Sequence, residues 1–211
     1  VPAISWSTTY YPLLQYGLHL KFVDVDSLTL NYDLTALSDA ISDKTRAIMA
    51  VNLLGNPNDF HEIKRLTANK NLVLIEDNCE SLGATFKGKP TGTFGVMGSF
   101  SFFYSHHIST MEGGMVLTNN EELYCLMLSI RSHGWTRDLP EKHSLPDHGE
   151  RDPFTNSFNF ILPGYNLRPL EMSGAIGIEQ LKKLPSIIKE RRKNGALFQS
   201  EMEEHPKFII Q

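Results

Sequence analysis

Two carboxylates, Glu76 and Asp77, close the apolar run Leu72–Ile75, and two histidines, His106 and His107, follow the apolar and aromatic run Ser99–Tyr104. An imidazole titrates near neutrality, so it can take a proton from a carbon or oxygen and give it back. Behind the histidines come a hydroxyl-rich pair, Ser109-Thr110, and a glycine pair, Gly113-Gly114. Strands that hand polar groups to a glycine-rich turn are the usual way α/β proteins build sites. Each residue also has a plainer reading. Asp77 suits the N-cap of a following helix, Trp6 suits a core, Ser101 is unremarkable in a strand, and His106 could be a satisfied structural histidine. His107 points to the opposite face if the strand continues, which makes it structural.

The elements that must position these residues alternate. Val1–Ile4 and Leu20–Asp24 read as strands, with a helix between them capped by Thr8 or Thr9 and running through Leu14 and Tyr16. Asp33 is a plausible N-cap for a helix carrying Leu34, Leu37, Ala40 and Ile41 on one stripe. Ala47–Leu53 is a continuous apolar run of the kind found in parallel strands covered on both faces. A helix from Pro57 or Asn58 to about Asn69 leads to the strand that ends at Glu76-Asp77. Gly88–Gly95 reads as a loop before the Ser99–Tyr104 strand, and Gly114–Leu117 as another strand. Glu121–Ser132 reads as a helix with Leu123, Leu126, Met127 and Ile130 inward. Gly134–Asn159 is long, polar and irregular, and such a loop is usually functional or mobile. Leu170–Leu184 and Ser186–Glu204 read as two helices, and Phe208–Ile210 as the start of a strand. The alternation predicts an α/β sheet with right-handed crossovers, in which working groups sit past the carboxyl ends of strands. Trp6, Asp77 and His106 all occupy such places.

Bulk properties narrow the function. With 41% hydrophobic residues the chain can bury a core. A net charge of −4 gives no electrostatic footprint for nucleic acid, and the basic run Lys189–Lys193 reads as a solvated helix face. No apolar run approaches the ~20 residues of a membrane span, and no signal peptide is visible. The two cysteines, Cys79 and Cys125, form no Cys-x-x-Cys pair, and a reducing cytoplasm is their simplest setting. The eight histidines show no metal-ligand spacing, so no metal is expected.

The stretch from Gly98 to Val116 resembles the cofactor segment of the DegT/StrS-type sugar aminotransferases, members of the fold-type I pyridoxal-phosphate (PLP) class. Their pattern is Ser-Phe, three residues, a Schiff-base lysine, then Thr-Thr-Gly-Glu-Gly-Gly. Here the lysine slot holds His106, the glycine before Glu112 is Met111, and no lysine lies between Lys89 and Lys142. With Ser109-Thr110-Met111-Glu112-Gly113-Gly114, this resembles the branch of PLP-dependent 3-dehydratases acting on nucleotide-linked, above all GDP-linked, 4-keto-6-deoxy sugars. The similarity runs over essentially the whole chain and includes Gly164–Pro169.

The resemblance implies a fold-type I large domain with a mixed, mostly parallel sheet flanked by helices, over residues 1–185. Residues 186–211 would be a linker helix and the start of a small C-terminal domain. It also implies a fragment, without the N-terminal segment whose Gly-Ser/Thr turn binds the cofactor phosphate. The cofactor would be pyridoxal 5′-phosphate and its amino form, pyridoxamine 5′-phosphate (PMP). Asp77 would hold the pyridine nitrogen protonated, Trp6 would stack on the ring, Glu80 could face it, and Ser101 would bind the phosphate. Asn166 would reach the phosphate of the neighbouring subunit's cofactor, making a homodimer with shared sites. His106 would be the proton carrier, with His133 and Arg168 near the substrate. Glu112 is more plausible as a turn or subunit contact. The implied partners are a nucleotide-linked keto sugar and L-glutamate as amino donor, and the deoxysugar product would feed lipopolysaccharide O-antigen synthesis. A related branch carries an iron–sulfur cluster, which two isolated cysteines cannot ligate. An ordinary sugar aminotransferase with another proton carrier, and a non-catalytic homologue, remain as alternatives.

Overall fold

The computed structural model describes residues 1–146 and 152–205, so the expected strand at Phe208–Ile210 lies outside the described residues. The chain divides into two compact units, residues 1–117 with 175–211, and residues 118–174.

The first unit is built on a four-stranded sheet. β1 (Ala47–Val51), β2 (Val73–Asp77) and β5 (Met97–Ser101) run parallel, and β6 (Gly114–Leu117) pairs antiparallel with β5, in the order β1-β2-β5-β6. A small antiparallel pair joins β3 (Thr85–Phe86), which precedes the expected Gly88–Gly95 loop, to β4 (Lys89–Pro90), which lies at that loop's start. This is the mixed, mostly parallel α/β sheet that the alternation predicts.

One face of the sheet is packed. Ile48 and Ala50 on β1 are buried with Val23, Tyr32, Leu37, Phe60 and Ile63. Leu37 comes from α2 (Leu34–Ala40), where Asp33 caps the helix by accepting the Thr35 and Ala36 amides. Phe60 and Ile63 come from α3 (Phe60–Thr67), which is capped by Asp59 and begins later than the expected start at Pro57 or Asn58. Phe60 stacks on Phe94 at 4.3 Å between ring centroids, and Phe86 meets both edge-on. Such aromatic pairs add to the area they bury. The opposite face is less covered. Met49 is half-buried and Ala47 exposed, so β1 is not enclosed on both sides as its apolar run suggested.

Several elements differ from expectation. Val1–Ile4 and Leu20–Asp24 do not form ladders; they meet at one parallel bridge, Pro2 with Val23. Pro2 has no N–H to extend a ladder. The helix expected from Thr8 or Thr9 is a 3-10 turn, Ser7–Thr9, followed by α1 (Tyr11–Gln15), and neither is capped by a side chain. The two expected C-terminal helices are one, α6 (Glu171–Met202), with Pro185 inside it. Proline removes one helical hydrogen bond, and here that break does not end the helix; the expected division at residues 185 and 186 falls within it.

In the second unit, α4 (Glu121–Ile130) is capped by Asn120 and buries Cys125 and Ser129 rather than the Leu123 stripe. α5 (Pro153–Asn156) lies within the stretch expected to be irregular. Among the described residues no helix is long and apolar enough to cross a membrane.

Candidate active site

Strand parity sorts the strand-end side chains. Partners in register in a parallel pair share a face, and successive residues alternate. Asp77 is in register with Ser99 and Val51. Asp77, Ser99 and Ser101 therefore look out of one face, while Glu76, Gly98 and Phe100 look out of the other.

Glu76 is fully buried, and its carboxylate accepts the amides of Gly92 at 2.6 Å, Phe94 at 2.6 Å and Gly95 at 2.7 Å. Glycines make room for this close approach. A Cβ on Gly98 would lie 2.6 Å from the Gly92 Cα, and Gly92 itself has φ +85°. A buried carboxylate held by several amides is a structural anchor.

Asp77 is half-buried. Its Oδ2 accepts the Thr9 hydroxyl at 2.8 Å and its Oδ1 the Cys79 amide at 3.1 Å. Thr9 in turn meets the Ser5 hydroxyl at 2.8 Å. The hydroxyl expected to cap a helix is thus spent on the strand-end carboxylate, and it ties the turn bearing Trp6 to β2. Trp6 is 75% exposed, a large apolar ring on the surface beside this turn. No helix follows Asp77: residues 78–83 form turns. Burial, and next the Asp77 charge, push the Cys79 thiol up to about 12, so Cys79 is a neutral neighbour and not a nucleophile.

A buried amide network holds the turn after β2. Asn52 donates to Asn78 at 2.8 Å, the Asn58 amide donates to Asn52 at 2.9 Å, and Ser81 donates to Asn78 at 3.2 Å. These amide partners escaped the sequence reading, as did the roles of Thr9, expected only as a helix cap, and of Glu76. The one available signal was three asparagines just past strands or before a helix, where buried amides often pin loops.

Ser101 ends β5, and its hydroxyl accepts the Phe103 amide at 3.2 Å. His106 follows in a turn, with its amide on the Phe103 carbonyl at 3.0 Å and its ring edge-on to Phe103. Its side chain is half-buried. The Ser-Thr-Met-Glu turn closes through the Thr110 hydroxyl on the Glu112 carbonyl at 2.8 Å. Met111 there has φ +72°. The left-handed backbone of a glycine position is kept although the residue is Met, a strain of order 1 kcal/mol. Glu80 does not sit one helical turn beyond Asp77, because that segment is not helical; its Oε2 accepts the Leu54 amide at 2.7 Å.

In the second unit His133 and Asn166 lie on paired segments. The His133 amide donates to the Tyr165 carbonyl at 2.8 Å, and Ser132 bridges Asn166. His133 has φ +62°. His133, Asn166 and Arg168 are all exposed.

The sequence profile of the DegT/DnrJ/EryC1/StrS aminotransferase family matches residues 1–211. The chain belongs to that family. Among curated relatives, the GDP-4-keto-6-deoxy-D-mannose 3-dehydratase of Yersinia pseudotuberculosis is 61% identical over all 211 residues, which cover 54% of that enzyme. A solved structure of a His-to-Asn variant of GDP-4-keto-6-deoxymannose-3-dehydratase with bound GDP-perosamine superposes with a TM-score of 0.95 at 58% identity, over 100% of this chain and 55% of that one. Another, with a trapped PLP–glutamate geminal diamine, gives 0.94 at 60% identity, over 97% of this chain and 53% of that one. This member of the DegT/DnrJ/EryC1/StrS family thus spans about half the length of the curated relatives it matches.

Proposed function

We propose that the protein to which this chain belongs is a PLP/PMP-dependent 3-dehydratase of a GDP-linked 4-keto-6-deoxyhexose. It uses L-glutamate as amino donor and releases a 3,6-dideoxy-4-keto sugar and ammonia. One observation carries the reading. In a family built around a lysine, the slot after β5 holds His106, and no lysine lies between Lys89 and Lys142.

The residues of the Asp77 face fit the cofactor. A half-buried carboxylate braced by Thr9 and the Cys79 amide suits a protonated pyridine nitrogen. The exposed Trp6 indole suits the ring face, and the Ser101 hydroxyl, two residues beyond Ser99 on the same face, suits the phosphate. When bound, the group supplies an electron sink for the pair left on the carbon beside it. Asp77 keeps that sink charged. His106, having no amine to bond the cofactor covalently, moves the proton at the C4′ carbon. Asn166 binds the phosphate of a partner subunit's cofactor, and His133 and Arg168 bind the nucleotide sugar. Glu80, turned onto the Leu54 amide, contributes by fixing the edge of the site. The enzyme acts in the cytoplasm as a homodimer, and its product enters O-antigen synthesis.

The test is the His106→Asn variant of the full-length protein, assayed for sugar dehydration and ammonia release. The rate should fall about 10²–10⁴-fold, the usual contribution of a positioned acid–base group, with cofactor still bound. Equal dehydration by the variant overturns the role of His106. A stable amino sugar from the wild type, in place of ammonia, makes the protein an aminotransferase.

A further inference from the structure

The first unit holds a cavity of about 430 Å³ between the turn at residues 81–84 and the C-terminal half of α6. None of Trp6, Asp77, Ser101 and His106 lines it. Its chemistry comes from His107, Arg191 and Arg192, set against the apolar side chains of Leu54, Leu82 and Ile188.

We propose that this cavity is an oxyanion site that takes a small phosphate or phosphate monoester. Three observations support it. First, the lining carries two guanidinium groups and an imidazole but no carboxylate. Glu80, the acid nearest in sequence, is turned onto the Leu54 amide. Arginine side chains present planar donor forks that match phosphate oxygens two at a time. Second, the Nδ1 of His107 is buried with no hydrogen-bond partner among the described residues. That atom has no accessible surface, so Nε2, on the same cavity-lining ring, is the nitrogen a ligand can meet. Third, the helix that carries the arginines touches the turn that walls the cavity. Ile188 lies against Gly83, where a Cβ would come within 2.2 Å of its Cδ1 and where φ is +88°. Arg192 also reaches the Gly83 carbonyl at 3.5 Å.

The electrostatics agree with the geometry. Burial, then the charge of Arg191 and the neighbouring His106, hold the His107 imidazole below its ordinary value. It is therefore a neutral ring among cations, with an N–H free to donate to an anion. The structural role that the sequence suggested for His107 thus becomes a ligand-facing one. The apolar wall opposite the arginines would seat the organic body of an ester.

The test is calorimetric titration of the full-length protein with inorganic phosphate and, in a second arm, with phenyl phosphate. One saturable site is expected, weakened about tenfold or more in the Arg191→Gln/Arg192→Gln double variant, because two forks are lost. Both side chains are exposed, so the variant should fold; circular dichroism checks this. The holoenzyme is used, so that the cofactor's own phosphate fills the Ser101 site and added phosphate reports on the cavity. Tighter binding of phenyl phosphate identifies an ester as the ligand, and equal binding identifies free phosphate. Absence of saturable binding overturns the proposal. So does affinity unchanged by the double variant. If the double variant misfolds, the His107 ring nitrogens of the wild type decide by NMR: no shift on adding phosphate overturns the site.

Discussion

Glu76 and Asp77 are neighbours in sequence, on one strand, with the same functional group, yet they lead different lives. Glu76 turns into the packed face, is sealed from water and accepts three backbone amides. Asp77 turns to the half-covered face and holds one hydroxyl and one amide, so its oxygens keep lone pairs for a ligand. Burial with full satisfaction makes a carboxylate into mortar; partial burial with spare capacity makes it available for chemistry. What separates the two is strand parity and the loop that arrives on each side, not residue type.

The contrast can be broken most forcefully at Glu76. Glu76→Ala would strand one buried and two part-buried amides at about 1–3 kcal/mol each, and we expect a loss of roughly 4 kcal/mol or more in urea unfolding. A loss under about 1 kcal/mol would mean that the loop relaxes and that the anchor is unimportant. At Asp77 the expectation is reversed. Asp77→Asn should cost only about 1 kcal/mol in stability while lowering dehydration about 10²-fold, the scale of one lost electrostatic contact in an active site. Equal effects on stability and turnover would erase the distinction between the two carboxylates.

Smaller changes sharpen it. Thr9→Val removes the hydroxyl from Asp77 and leaves the shape. About 1 kcal/mol should be lost in thermal melting, and turnover should fall with it if the brace orients the carboxylate. The finest probe is Cys79. Its thiol is raised to about 12, so the folded chain keeps a proton that the unfolded chain loses in the ordinary thiol range. Stability from this source is complete below that range and declines as pH climbs toward 12. Asp77→Asn, by removing a charge that raises the thiol, should quicken alkylation of Cys79 by iodoacetamide at pH 9, and an unchanged rate would show that burial alone sets the value.

Much of this was legible beforehand. The Asp33 cap, the strand ending at Asp77 and the Gly114–Leu117 strand follow from local rules of capping and periodicity, and the structure has them. The role expected of His106 rests on a family pattern alone, since an isolated histidine after a strand says little. What the sequence concealed is non-local. Nothing near Glu76 announces that the amides of residues 92, 94 and 95 will fold back onto it. Nothing near Thr9 announces a partner 68 residues away. Pro185 misled in the other direction, because a local rule for ending helices yielded to the continuity of α6.

The alternation along β2 leaves this arrangement brittle in one particular way. Insert a single residue anywhere between Val73 and Ile75, and every side chain beyond it changes sides: the acid that holds the Thr9 hydroxyl would plunge among phenylalanines, and the acid that holds the loop amides would emerge on the half-covered face. Two inserted residues would restore the polarity and merely lengthen the rod. Tolerance in this strand is therefore a matter of odd and even.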